Sequence, residues 1–234
     1  MDYIFPPQVT SIPVTGGGRF PVRRVYCVGR NYADHAVEMG FDPRAEPPFF
    51  FCKATDNVVA AEGGAVELPY PMETANFHHE VELVVAIGRR GARIDPAEAA
   101  QHIFGYAIGL DMTRRDLQMK MRDAGRPWEI GKTLERGAPL SAIQPIERTG
   151  ELNSGNIELL VDGVCKQKSD IAKLIWSIPE IIADLSRYYM LEPGDLVFTG
   201  TPEGVGPVVA GQTMLARIDG LGELEVKVVE GGMA

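Results

Sequence analysis

Cysteine is scarce in this chain of 234 residues, with only Cys27, Cys52 and Cys165 present. The count is odd, the spacing is wide and no Cys-x-x-Cys pair occurs. Neither a disulfide framework nor a structural zinc site is therefore indicated, and a reducing, cytoplasmic compartment is the expectation. Basic charge is also short. Against 32 Asp and Glu stand 23 Lys and Arg, giving a net charge of -9 and a pI of about 5.0. That balance argues against a nucleic-acid partner and against an anionic membrane surface, since both need a basic face. A small anionic ligand would need local basic groups or a metal to overcome the field. No long apolar run and no basic leader are found, so neither a signal peptide nor a transmembrane span is expected. Several catalytic signatures are missing as well: His-Glu-x-x-His, the Walker A loop, the dinucleotide fingerprint and the Gly-x-Ser-x-Gly elbow. Internal repeats are absent too.

What is there reads as an ordinary globular chain, 45% hydrophobic and 24% charged. Residues 1–22, rich in Pro and Gly, read as a short strand and an N-terminal arm; residues 23–234 read as the single domain. Strands are expected over 24–28, 49–53, 79–87, 105–111 and 196–199, with two more around Asp219-Gly220. Asn31 is placed to cap a short helix from about Tyr32 to Met39, and Thr113 to cap one running to about Asp123. A third helix starts at Ser177 with Pro179 and Glu180. Its apolar residues Ile178, Ile181, Ile182 and Leu185 fall at i, i+3, i+4 and i+7. Many strands and few helices indicate an α+β, mainly β fold.

Glu80 and Glu82 are two apart in an apolar segment, so on a strand they share a face. Two carboxylates there repel unless protons or a cation intervene. A hard divalent cation with oxygen ligands answers that need: Mg²⁺, Mn²⁺ or Ca²⁺. Taken alone, the pair also fits a solvated strand face. Asp111, at the end of the next apolar strand, is a third candidate ligand, although Asp also caps helices. His78 and His79 read as structural groups or as supports behind a ligand. His35 and Glu38 are neighbours on the short helix, where a carboxylate can brace an imidazole as a general base. The same spacing suits a surface pair. Lys132 follows an apolar stretch and could face a developing oxyanion, though a lone lysine is usually solvated. Arg115 and Gln118 share a helix face just after Asp111 and could hold a carboxylate. Arg30 and Lys53 add cationic candidates, and Thr201 offers a hydroxyl in a glycine-rich loop.

The order of these segments along the chain resembles the fumarylacetoacetate hydrolase family. The resemblance lies in residues 28–35 with Glu38, in His78-His79-Glu80-Val81-Glu82-Leu83, in 109–118, in Pro127-Trp128-Glu129-Ile130-Gly131-Lys132, in 176–180 and in 194–207. It covers roughly residues 22–230. The chain departs from the family pattern at Ala54, at Thr133-Leu134 and over 163–172, positions that bear on the distal part of the pocket.

The resemblance implies a mixed β-sandwich roll, usually a homodimer. It implies metal ligation by Glu80, Glu82 and Asp111, a His35–Glu38 dyad and a catalytic Lys132. Arg30, Lys53, Arg115, Gln118 and Thr201 match positions that line the family's pocket. The implied cofactor is one Mg²⁺ or Mn²⁺, and the implied activity is hydrolysis of a carbon–carbon bond in a 2,4-dioxo acid. The branch it most resembles acts on fumarylpyruvate, giving fumarate and pyruvate in gentisate-type aromatic catabolism. Oxaloacetate decarboxylation, or another acylpyruvate hydrolase or isomerase activity, is the alternative.

Overall fold

A computed structural model describes residues 3–32 and 46–231. The strands are β1 (Ser11–Pro13), β2 (Arg19–Pro21), β3 (Arg24–Gly29), β4 (Phe49–Lys53), β5 (Val58–Ala60), β6 (Val66–Pro69), β7 (Phe77–His79), β8 (Val81–Ile87) and β9 (Ile103–Leu110). They continue as β10 (Thr113–Arg114), β11 (Ala138–Leu140), β12 (Gln144–Pro145), β13 (Asn156–Val161), β14 (Val164–Asp170), β15 (Asp195–Phe198), β16 (Gly206–Pro207), β17 (Thr213–Ile218) and β18 (Gly222–Val229). The α-helices among the described residues are α1 (Arg115–Asp123), α2 (Glu129–Lys132), α3 (Ile146–Thr149) and α4 (Ile178–Tyr188).

The fold is mainly β, with mixed, curled sheets, as expected. The largest sheet runs β4-β3-β15-β8-β9-β11-β5, with β12 paired to β9. A second runs β14-β13-β17-β18-β6, and a small third one is β10-β7-β16. Most pairs are antiparallel, but β15 joins β3 in parallel, as β11 joins β5 and β18 joins β6. Parallel neighbours require long crossovers, so strands distant in sequence become adjacent.

Strand β8 carries the central argument of the packing. Every residue from Val81 to Ile87 is buried. Val81, Leu83, Val85 and Ile87 pack between the two large sheets with Ile157, Leu159, Met214 and Val226. Val84 and Ala86, on the other face, pack with Ile12, Phe20 and Phe198. Glu82 therefore shares a face with apolar core and not with solvent. Strands β13 and β17 alternate buried and half-buried residues, the pattern of a sheet covered on one face.

Helix α4 closes one end of the first core through Ile178, Ile181, Ile182 and Leu185. Its start is the expected capping box: Glu180 accepts from the Ser177 backbone N–H at 2.8 Å. Two expectations need correction. The strand expected from His79 is broken at Glu80, with His78 and His79 in the small sheet and Val81 onward in the large one. Thr113 does not cap α1. Its hydroxyl instead donates to the Asp111 carbonyl at 3.0 Å, and Arg114 stands at the cap position without a side-chain bond. The helix expected to follow Asn31 lies outside the described residues. Asn31 itself is buried and donates to the carbonyls of Trp176 and Thr199, at 2.9 and 2.8 Å.

The α4 packing can be graded. Ile182→Ala should cost about 2–5 kcal/mol through the cavity it leaves, while Ser177→Ala should cost about 1 kcal/mol through the lost cap. Urea denaturation checks the order, and equal costs would refute this account of the helix.

Candidate metal and acid–base site

The break at Glu80 lies where the small sheet meets the large one, and this seam gathers the acids. Asp111 follows β9, whose Leu110 pairs with Val81, and the Asp111 N–H donates to the Glu80 carbonyl at 2.8 Å. Glu82, two residues on, accepts from the Gly200 N–H at 2.7 Å. Gly200 has φ +105° and approaches Asn31 closely enough that a Cβ would come within 2.7 Å of it. Only glycine suits both demands. One carboxylate oxygen from each of Glu80, Glu82 and Asp111 lies within 4.8 Å of the others, and all three residues are buried. Three convergent, buried carboxylates form an all-oxygen donor set, which fits a hard divalent cation.

Cations surround the trio. Lys132 donates to Glu80 Oε2 and Asp111 Oδ2, each at 2.7 Å. Lys53 is paired with Asp111 Oδ1 at 2.9 Å. Arg115 is paired with Glu80 Oε1 and donates to Gln118 Oε1 at 2.7 Å. Helix α2 delivers Lys132 by close approach to α1: a Cβ on Gly131 would sit 2.7 Å from the Gln118 backbone. The charges reshape one another's proton affinity. Burial, then Asp111 and Glu80, push the Glu82 carboxyl well above the usual carboxylate range. Burial opposes the charge on Lys132, but Asp111 and Glu80 outweigh it and raise its pKa. Lys132 is therefore an ammonium, a donor and not a base. Burial, helped by Arg115, lowers His78 to about 4, so this imidazole is neutral.

A cleft of about 30 Å³ opens onto the trio, lined by Arg30, Phe51, Arg115, Gln118, Lys132 and Thr201 among others. Two of its lining residues, Phe51 and Trp128, are aromatic, and Phe49 packs behind them. Phe49 meets Trp128 edge-on at 5.5 Å, and the Arg30 guanidinium lies 5.2 Å from the Phe49 ring centre. Larger clefts beside α4 and beside Tyr70 hold no comparable cluster of acids among the described residues.

Most of the residues expected from sequence thus come together. Lys53 differs in its placement. It does not line the cleft, and its ammonium is spent on Asp111, on the Met112 carbonyl at 3.0 Å and on the Lys132 carbonyl. Its surroundings make it a support beneath Asp111. His35 and Glu38 lie outside the described residues. Gln167 is the residue that the sequence did not single out. It is the one fully buried side chain among exposed and half-buried neighbours on β14, and it bonds His79 and the Val81 N–H. No local signal marks it, because its partners lie between 34 and 88 positions away in the chain.

The description "Fumarylacetoacetate (FAA) hydrolase C-terminal" belongs to the family model that matches residues 24–229, and this chain is a member of that family. Among curated relatives, the fumarylpyruvate hydrolase of Ralstonia sp is 50% identical over 187 residues, covering 80% of this chain and 95% of the relative. A mitochondrial oxaloacetate tautomerase of Mus musculus is 40% identical over 206 residues, covering 88% and 91%. A solved structure of fumarylpyruvate hydrolase from Pseudomonas aeruginosa, in complex with Mn²⁺ and pyruvate, is 56% identical with a TM-score of 0.96. That match covers 98% of this chain and 100% of that one.

The burial of Lys53 yields a prediction. Lys53→Met removes one of the two ammonium partners of a fully buried carboxylate and leaves Lys132 as the other, so the cost should fall at or below the low end of the roughly 3–5 kcal/mol for breaking a buried pair. Thermal and urea denaturation should both show the loss, and a change under about 1 kcal/mol would refute the supporting role.

Proposed function

We propose that this chain is a divalent-metal-dependent hydrolase that cleaves fumarylpyruvate to fumarate and pyruvate. The observation that carries the reading is the convergence of Glu80, Glu82 and Asp111 beside Arg115, Gln118 and Lys132. It is supported by the likeness, at 56% identity, to a fumarylpyruvate hydrolase solved with Mn²⁺ and pyruvate. Glu80, Glu82 and Asp111 would hold one Mg²⁺ or Mn²⁺. When bound, such a cation supplies Lewis acidity toward the carboxylate and 2-oxo oxygens of the substrate.

The side chains divide the remaining work. Arg115, with Gln118 hydrogen-bonded to it, orients the substrate carboxylate through its planar donor fork. His35, braced by Glu38, takes a proton from water, and that water attacks the 4-carbonyl. Lys132 donates to the oxygen that becomes negative. The bond between C3 and C4 then breaks, fumarate leaves as the acid, and the three-carbon part takes up a proton to become pyruvate. Arg30, which lines the cleft with its guanidinium over the Phe49 ring, is a second cation for the distal carboxylate of the substrate.

A second reading is oxaloacetate chemistry at the same site, motivated by the 40% identity to an oxaloacetate tautomerase. The higher identity to fumarylpyruvate hydrolases favours the first. A cytoplasmic homodimer completes the proposal: the dimer rests on the family resemblance, and the compartment on three unpaired cysteines. No helix among the described residues is long and apolar enough to cross a membrane.

The ultraviolet absorbance of fumarylpyruvate tests the reading directly. It should fall with formation of fumarate and pyruvate, stop on chelation and resume with Mg²⁺ or Mn²⁺. Release of carbon dioxide from oxaloacetate, with fumarylpyruvate untouched, would select the second reading.

His35→Ala should leave Mn²⁺ and pyruvate binding intact while reducing kcat by about 10²–10⁴-fold. Full activity in that variant would reject the dyad.

Mn²⁺ affinity should also rise with pH. The raised pKa of Glu82 means that its carboxyl holds a proton above the usual carboxylate range, and a cation must displace that proton. Calorimetric titration from about pH 5 to about pH 8 should show progressively tighter binding with proton release. A flat profile would contradict the raised proton affinity of the Glu82 carboxyl.

A further inference from the structure

The amide of Gln167 uses all of its hydrogen-bonding capacity at the seam that carries Glu80. Its Oε1 accepts from the Val81 N–H at 3.1 Å and lies 2.9 Å from His79 Nδ1. Its Nε2 donates to the Pro202 carbonyl and to Thr201 Oγ1, each at 2.8 Å. Pro202 offers only an acceptor and the Val81 N–H only a donor, so a single orientation of the amide satisfies both. That orientation makes His79 Nδ1 the protonated nitrogen, donating to Oε1. It also commits Thr201. The hydroxyl accepts from Gln167, sends its own hydrogen to the Val81 carbonyl at 2.8 Å, and is left with one lone pair.

We propose that Gln167 is a positioning residue that clamps both chain neighbours of Glu80 and fixes the hydroxyl of Thr201, and so sets the affinity of the site for its divalent cation. The two residues that flank Glu80 share one acceptor atom on a side chain from the other large sheet. Without it, the break between β7 and β8 loses the partner of the Val81 N–H and the anchor of His79. Glu80 then loses the fixed backbone from which it meets Lys132 and Asp111. Supports of this kind, one step behind the ligands, typically change metal affinity or activity by about 10–100-fold. The glycine-rich loop is tied in by the same amide through Thr201 and Pro202, so Gly200, the donor to Glu82, is steadied by the same residue.

The inference rests on the metal assignment made above, and a titration of the chain with Mn²⁺ alone separates the two. Binding is read by calorimetry or by electron paramagnetic resonance, and thermal midpoints of the metal-free proteins are measured in parallel. Gln167→Met should weaken Mn²⁺ binding by about 10–100-fold, with kcat recovering toward the unmodified level at saturating Mn²⁺. Gln167→Asn keeps a buried amide but is too short for all four partners. It should weaken Mn²⁺ by about 10-fold, and it carries the test if the Met variant does not fold. A lowered thermal midpoint with unchanged Mn²⁺ affinity would assign Gln167 to packing and overturn the proposal. Failure of the unmodified chain to bind Mn²⁺ would overturn the metal assignment itself.

Discussion

Three carboxylates cannot share a dry interior unless their charge is balanced, and that requirement organises this protein. Glu80, Glu82 and Asp111 are buried and close together. Lys53, Lys132 and Arg115 meet them from three different elements. In a medium of low dielectric, an unbalanced carboxylate is far costlier than in water, so the acids and cations hold one another in register. The large sheet supplies Glu82 and Asp111, the seam supplies Glu80, and the helix pair α1–α2 supplies Arg115 and Lys132. Loss of geometry in any one is felt by the others.

This balance also bears on how so acidic a chain would receive the anion proposed above. The net charge of -9 would repel a dicarboxylate at long range. Within the cleft the local field differs. Arg115 and Lys132 stand beside the acids, and Arg30 lines the same cleft. A cation held by the trio would add to that positive side. Recognition is thus a property of a few ångströms of surface, and the overall charge serves other ends such as solubility.

Much of the architecture was legible because it is local. The helix from Ser177 announces itself by its cap and its apolar spacing, and both hold. The terminal hairpin around Asp219-Gly220 is equally plain. The candidate ligands were legible through the improbability of acids in an apolar strand, and Glu82 does share a face with core. What sequence could not supply came from partners far away in the chain. The strand break at Glu80 depends on two small-sheet neighbours and on Gln167, none of which a period-two pattern can register. Lys53 was read as a cationic candidate, and the family resemblance alone put it among the pocket positions. Its burial under Asp111 follows only from the pairing of β3 with β4 and its approach to α2. Thr113 has the look of a cap, but its hydroxyl is taken by Asp111.

The position of β15 has a consequence for biosynthesis. This strand lies between β3 and β8 in the middle of the large sheet, yet it is made more than a hundred residues after β8. As the chain leaves the ribosome, β3 and β8 must wait with one flank each unpaired. Exposed strand flanks of this kind invite pairing with other chains. Gly200, which caps Glu82, emerges immediately after β15. The acidic centre is therefore completed only when the sheet is closed, and a nascent chain arrested before residue 195 carries its acids without the strand that pairs with β8.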